Sequence, residues 1–476
     1  MRLRLLLAVL LLAAIRAAPA PAATTVETAG DARVYGVFFA NRNFTGWNED
    51  GRQTEERLTL WQRLRVRSDC TVNENLAFRF GLRINDEAWG AGYLTAANPN
   101  LALEPYQAYL QLTWPDTRIR ITAGYQPYSL PYSEVFYDSI VLAADDGDQP
   151  SAALHVEVPI NDRVAVQAAF ARLLAANQTY QPATTQNADA FDVAQLALPV
   201  TLEGFAATPW ALVGVYGKAC DPQGLFDAGL RAAGSYPGGG AYPYANNQNA
   251  LWWTGLTLTV DALNPFTLYL DAIYGDVAPS DRQRDRRRGA FFDAGLTYSG
   301  LDWILPGIFG WWGSGEDGSL ANGSERLPVV TPKWGPGTSF LFTSDQELSN
   351  NDMGLDPTGT WGLAVSFRDI RFLEALKSRL TVAVAAGTSS VTGLRKAVAA
   401  SGGPGPYLVM GRNLAQGEGV LGCNWDHSLA ITEQLSLILQ TGFAAPYGLK
   451  TGIWGHRFTS AARDAAMVSL GLYYTF

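Results

Sequence analysis

Cysteine is scarce in this chain: Cys70, Cys220 and Cys423 are the three present among 476 residues. Three widely scattered cysteines cannot frame a disulfide-bonded fold, so free thiols are expected. Histidine is as rare, with His155, His427 and His456 alone, which leaves few bases for a hydrolytic nucleophile. Long apolar runs are missing too. Beyond the first residues, none approaches the roughly 18 that a membrane helix needs. Dense positive charge is lacking as well: the net charge of -9 argues against a nucleic-acid partner. The one basic run, Arg282 to Arg288, is broken by Gln283 and Asp285. It reads as a solvated loop, with lipopolysaccharide phosphate binding as the other reading. No fixed repeat period is visible, which excludes a solenoid or propeller.

What is present is a strongly folding composition, 47% hydrophobic and 12% aromatic. Met1 to Arg4 is short and basic, Leu5 to Ile15 is apolar, and Ala20-Pro21-Ala22 has small residues at cleavage spacing. The expectation is a secretory signal peptide over 1–22 and one exported domain over 23–476.

The stretch "LTLWQRLRVRS" from Leu58 to Ser68 separates into two rows. Leu58, Leu60, Leu64 and Val66 form one, while Arg57, Thr59, Trp61, Arg63, Arg65 and Arg67 form the other. Successive strand side chains point to opposite faces, so this period-two pattern implies two different solvents. Eighteen alternating segments of this kind occur, near 32–41, 56–68, 76–87, 104–114, 117–126, 151–160, 163–174, 189–200, 208–219, 248–261, 266–276, 289–299, 302–312, 359–369, 378–390, 417–429, 435–446 and 464–476. The weakest are 189–200 and 208–219, so sixteen is the alternative count. Brief connections alternate with long ones, the rhythm of an all-β transmembrane antiparallel barrel with short periplasmic turns and long extracellular loops. Every backbone polar group must be paired inside lipid, and a closed barrel achieves that without helices. The longest loops, Gly313 to Thr358 and Cys220 to Asn247, are expected to face outward.

On this reading the leucine row faces lipid and the arginine row a wet lumen, because an arginine at the lipid midplane costs about 2–4 kcal/mol. The next segment places Arg79 and Arg83 inward beside outward Phe78, Phe80, Leu82 and Ile84. The fifth places Arg118 and Arg120 inward, and the fourth offers Gln107, Tyr109 and Gln111. Arg57, Arg63, Arg65, Arg67, Arg79, Arg83, Arg118 and Arg120 thus form an expected basic wall. The loop from Gln126 to Pro150 follows, ending in Asp145, Asp146 and Asp148. Those acids read as a constriction facing the wall, as a solvated turn, or as a weak calcium site. The arginines have a structural reading beside the solute-contacting one, as pairs with luminal acids. A hydrolase would need a serine beside one of the three histidines; none stands at a luminal position on the same strand, although cross-strand pairing could supply one.

Several of these stretches resemble known families. The terminal Phe476, closing an alternating strand, resembles the signal by which bacterial outer-membrane barrels are recognised for assembly. The position of the loop at 126–150 resembles that of the third loop of general bacterial porins, which folds into the barrel with its acids opposite an arginine cluster; the usual Pro-Glu-Phe-Gly-Gly pattern is absent here. The stretches "RVYGVFFANRNF" and "LAFRFGLRIND" look like the outer-membrane homotrimeric porins of sulfate-reducing bacteria. The resemblance implies a bacterial outer-membrane location, a homotrimer, and contact with outer-membrane lipid and lipopolysaccharide. The combined expectation is a non-enzymatic porin, without cofactor or metal, passing ions and small polar solutes by diffusion. Its alternatives are a channel selective for small carboxylates or sugars, with Trp61, Trp253 and Tyr269 stacking on the latter, and more remotely a barrel hydrolase.

Overall fold

In a computed structural model the chain is described over residues 24–46, 58–90, 95–97, 101–133, 139–143, 150–175, 190–216, 230, 250–278, 283–342, 348, 352–403 and 408–476. The expected leader over 1–22, Arg57, Cys220 and the acids Asp145, Asp146 and Asp148 lie outside the described residues.

The alternating segments form one antiparallel sheet closed on itself. In chain order they are β1 (Thr25–Ala40), β2 (Leu58–Asn73), β3 (Leu76–Ala88), β4 (Glu104–Thr113), β5 (Arg120–Pro127), β6 (Pro150–Pro159), β7 (Ala165–Ala175), β8 (Ala190–Ala197), β9 (Val200–Leu202), β10 (Phe205–Tyr216), β11 (Ala250–Val260), β12 (Phe266–Val277), β13 (Arg287–Tyr298), β14 (Leu305–Gly313), β15 (Thr360–Leu373), β16 (Leu376–Gly387), β17 (Gly419–Ala430), β18 (Leu435–Tyr447) and β19 (Ala465–Thr475). β8 and β9 both pair with β10 and share one stave, so nineteen segments make an 18-stranded barrel. The stave breaks at Leu198-Pro199, opposite Pro209, because neither proline can donate to the ladder.

Closure is between β1 and β19, from Asp31↔Thr475 to Ala40↔Ala466. Phe476 continues the pairing by exchanging backbone hydrogen bonds with Gly30. Its ring occupies the space that a Cβ at Gly30 would fill, 2.5 Å from the phenyl Cζ. Glycine is therefore what seats the terminal aromatic.

Side chains divide between two faces as the period predicts. Phe38, Leu60, Phe78, Leu110, Leu154, Phe170, Val213, Phe292, Leu363, Leu421 and Leu470 stand exposed on the outer surface. They make an apolar belt suited to lipid, and no helix among the described residues is long and apolar enough to span a membrane. Trp252, Trp312 and Tyr474 are exposed with them, whereas Trp311 is buried inside. Tyr473 likewise packs against the interior.

The interior is filled by loops. Residues 128–133 and 139–143 of the third long loop are folded inward, with Leu130, Ile140, Val141 and Leu142 buried. The loop from Gly313 to Thr358, expected to face outward, also enters the barrel: Leu327, Val329, Trp334, Phe340, Leu341 and Phe342 are buried against the wall. Its apolar side chains have no interior of their own, and the luminal sides of β11–β14 and β17–β18 supply one. Above the rim, Leu394, Val398, Met410 and Trp454 build a second small core in the loops after β16 and β18. Glu418 ties it together, accepting from the backbone of Ala415 and Lys450 and from Trp454 Nε1.

Candidate functional site

The expected basic wall is a network of paired charges. Asp31 on β1 accepts from Arg63 at 3.2 Å and Arg65 at 2.6 Å, both on β2, and all three are buried. Arg33 pairs with Asp86 at 2.5 Å, and Tyr35 donates to the same carboxylate. Lower on the wall, Asp69 holds Arg79 and approaches Arg67 at 3.4 Å, while Arg79 also donates to the Tyr109 hydroxyl. Arg83 lies 3.6 Å from Glu104 and over the ring of Tyr106. Six arginines on β1–β3 thus meet four carboxylates. The wall's field is far weaker than a bare arginine count suggests.

Two of those acids were not visible as partners in the sequence. Asp31 stands one residue before the segment expected at 32–41. Asp86 owes its inward aim to a bulge: the pairing of β2 and β3 slips between Leu64↔Ile84 and Gln62↔Glu87, and an extra residue in one strand re-aims its side chains.

Arg118 and Arg120 stand elsewhere. Arg118 precedes β5 in the short turn, rather than lying within a strand, and pairs with Asp162 at 2.5 Å; both are exposed. Arg120, the first residue of β5, pairs with Glu157 on β6. They belong to the short-turn mouth. The barrel carries arginines at two depths.

Across the lumen, the two inward loops lock onto the wall and onto each other. Val330 and Thr331 donate to Val141 O, Ala143 donates to Thr331 O, and Lys333 donates to Ser139 O. Tyr128 donates to Gln195 on β8, and Ser133 N donates to Asp271 on β12. Trp334 Nε1 donates to Asp293 on β13 at 2.8 Å, and Trp253 Nε1 on β11 donates to Pro328 O at 2.9 Å. Trp253, considered for sugar stacking, is therefore taken up by the loop. Trp334 also meets Phe291, Trp311 and Phe342 edge-on, at centroid distances of 5.1, 5.3 and 5.1 Å. Each such contact contributes about 0.5–1.5 kcal/mol beyond the area buried. Further round, Thr381 donates to Gly337 O, Ser339 to Asp426, and Leu348 N to Gln440.

Asp271 and Asp293 are register partners. In the ring order β12 lies nine of the eighteen staves from β2, and β13 nine from β3. The buried acids that anchor the loops therefore stand opposite the arginine wall. Arginine–carboxylate pairs on one side and hydrogen-bonding acids on the other give the lumen two polar flanks that can orient polar solutes.

Loop carboxyls are shifted by their surroundings. Burial pushes Glu316 and Asp352 above the usual carboxylate range, against the pull of Arg326 on the first and Arg42 on the second. Burial also raises Glu418.

A serine–histidine pair does exist across strands: Ser378 Oγ and His427 Nδ1 are 2.8 Å apart. It lies on the outer face, beside the ring of Trp425. That position serves a lipid-facing wall and offers no luminal site for hydrolysis. Cys70 and Cys423 are free thiols, and no cluster of three or more metal-ligating side chains occurs among the described residues.

A closed wall with an apolar outer belt, an arginine-lined sector and inward loops defines the porin fold of the bacterial outer membrane. Solved structures share it: OccK11 (OpdR) of Pseudomonas aeruginosa aligns over 95% of this chain and 96% of its own, at 10% identity and a TM-score of 0.52. OpdO of the same organism aligns over 95% and 97% at 11% identity and a TM-score of 0.53, and OccK8 (OprE) over 95% and 98% at 10% and 0.51. No protein family model matches the chain, and no curated protein does. The likeness is one of architecture.

Proposed function

We propose that the chain is a passive diffusion channel for ions and small hydrophilic solutes, its path running between the β1–β3 arginine network and the two locked loops. The observation that carries this reading is the asymmetric filling of the lumen. The loops anchor on β8, β11–β13 and β16–β18, whereas the paired arginines line the sector facing the acidic anchors. A route flanked by ion pairs and hydrogen-bonding groups favours hydrated solutes over apolar ones, which must displace ordered water. Single-channel recording in planar bilayers tests it: discrete conductance steps are expected, and a purified, folded barrel that gives none refutes the reading.

A solute-selective channel for small carboxylates is the second reading, favoured by accessible guanidinium groups at Arg118 and Arg120. Selectivity predicts conductance that saturates with solute and block by it; an unselective pore predicts linearity with salt. A homotrimer is proposed on the resemblance of the β1 and β3 stretches, and mass measurement of the detergent-solubilised protein checks it.

A further inference from the structure

At the short-turn end lies a recess of about 540 Å³, bordered by Thr113, Arg118, Arg120, Glu157, Arg163 and Gln167. The interrupted stave forms one border of the recess. Where β8 gives way to β9, Ala165 N donates to Pro199 O and Thr201 N to Arg163 O, and Pro199 and Thr201 form part of the lining. Breaks in strand pairing commonly accompany sites, because they re-aim side chains.

The chemistry here differs from that of the wall above. Three arginines face two carboxylates, Glu157 and Asp162. The side chains of Arg118 and Arg120 are 61% and 66% exposed, against 5% and 7% for Arg63 and Arg65. Exposed ion pairs are worth only about 0–1 kcal/mol, so exchanging such a carboxylate for a solute anion costs little. A guanidinium has five N–H donors in a fixed fork, more than one carboxylate can occupy. Glu157 is further engaged by Gln167 Nε2 at 3.2 Å, and Thr113, Thr117 and Asn161 offer polar groups to the body of a solute.

We propose that this recess is a low-affinity binding site for a small solute bearing carboxylate or phosphate groups, held by Arg118, Arg120 and Arg163. It rests on the channel reading in that such a solute passes through the lumen and this mouth. The site then concentrates anions at one end of the path, apart from the arginine network near the loops.

Equilibrium titration of the detergent-solubilised barrel with succinate and, separately, inorganic phosphate tests the site without requiring conduction. Millimolar binding of at least one probe is expected, and which one binds separates the carboxylate from the phosphate source. The variant R118S/R120S/R163S is expected to bind at least tenfold more weakly. E157Q and D162N, which release Arg120 and Arg118 from their present partners, are expected to bind several-fold more tightly, a gain that damage to the fold would not produce. Absence of binding by the wild type overturns the proposal. So does equal binding by wild type, E157Q and D162N, which marks an adventitious ion only. A barrel that binds but gives no conductance steps overturns the channel reading and leaves the site standing; one that conducts but does not bind does the reverse.

Discussion

Asp31 serves two buried arginines at once, and that sharing has a measurable consequence. Replacing it with Asn leaves Arg63 and Arg65 in place but removes the negative charge between them. Each charge-assisted hydrogen bond so weakened costs roughly 1.5–3 kcal/mol, less where lumen water can substitute. D31N is therefore expected to assemble with a lowered melting temperature, and to move the reversal potential in asymmetric salt toward anion preference. An unchanged potential places Asp31 away from the conduction path. The inward set of arginines was legible in the sequence because the period of two holds where they stand, over Arg63 to Arg67 of β2 and Arg79 to Arg83 of β3. Their partners were not, since Asp31 lies at the margin of an expected strand and Asp86 on a bulge that breaks the period. Arg118 was displaced from its expected strand because β5 starts two residues later, after the turn at Pro115-Asp116.

At the scale of elements, the barrel wall carries seats for the loop that fills it. A Cβ added at Gly442 on β18 would come within 2.2 Å of Phe340, and one at Gly422 on β17 within 2.5 Å of Leu341. Glycine inside a strand often marks such a close approach, and these inward glycines were the available signal that something enters the lumen. The loop itself has no period to read, so strand reasoning placed it outside by default. G442V is expected to push the Phe340 segment off the wall and change unitary conductance by a visible step without loss of the barrel. The same conductance as wild type would show that this segment does not border the path. Loop acids set a pH dependence of definite sign. Glu316 and Asp352 have carboxyls raised by burial; the folded protein binds more protons than the unfolded chain between the ordinary carboxylate pKa of about 4 and the raised values. Loop stability is thus greatest below that window and falls as pH rises through it. Solvent exchange at amides of 327–342, corrected for its intrinsic pH dependence, is expected to slow on acidification from neutral pH to pH ~5, and E316Q is expected to flatten that response. Faster corrected exchange at the lower pH contradicts the sign.

Across the whole molecule, closure and charge separate into different sets of residues. Closure rests on backbone pairing of β1 with β19 and on Phe476 seated at Gly30, so truncating Phe476 is expected to reduce membrane assembly; normal surface levels would show that the terminal ring is dispensable. Charge rests on luminal side chains, which tune selectivity more than stability where they are wet. Strand number, turn rhythm and both faces were readable along the chain because lipid imposes one rule on every stave. Which loop fills the lumen follows no such rule, because it depends on apolar residues that pack only once the barrel exists. The triple variant R65S/R83S/R120S tests the separation directly. Each removed arginine leaves its acid, respectively Asp31, Glu104 and Glu157, so local charge at two depths changes by more than simple dilution of a large positive surplus. Fixed charge near a narrow path acts across a Debye length of about 8 Å at physiological salt. The variant is expected to fold and to shift the reversal potential toward cation preference, with the shift shrinking as salt rises. R120S alone is expected to give the smaller part, since Arg120 is 66% exposed at the mouth and is better screened. If the triple variant assembles normally and leaves both the potential and its salt dependence unchanged, the ions travel elsewhere in the lumen and the arginine network serves only to hold β1, β2 and β3 together.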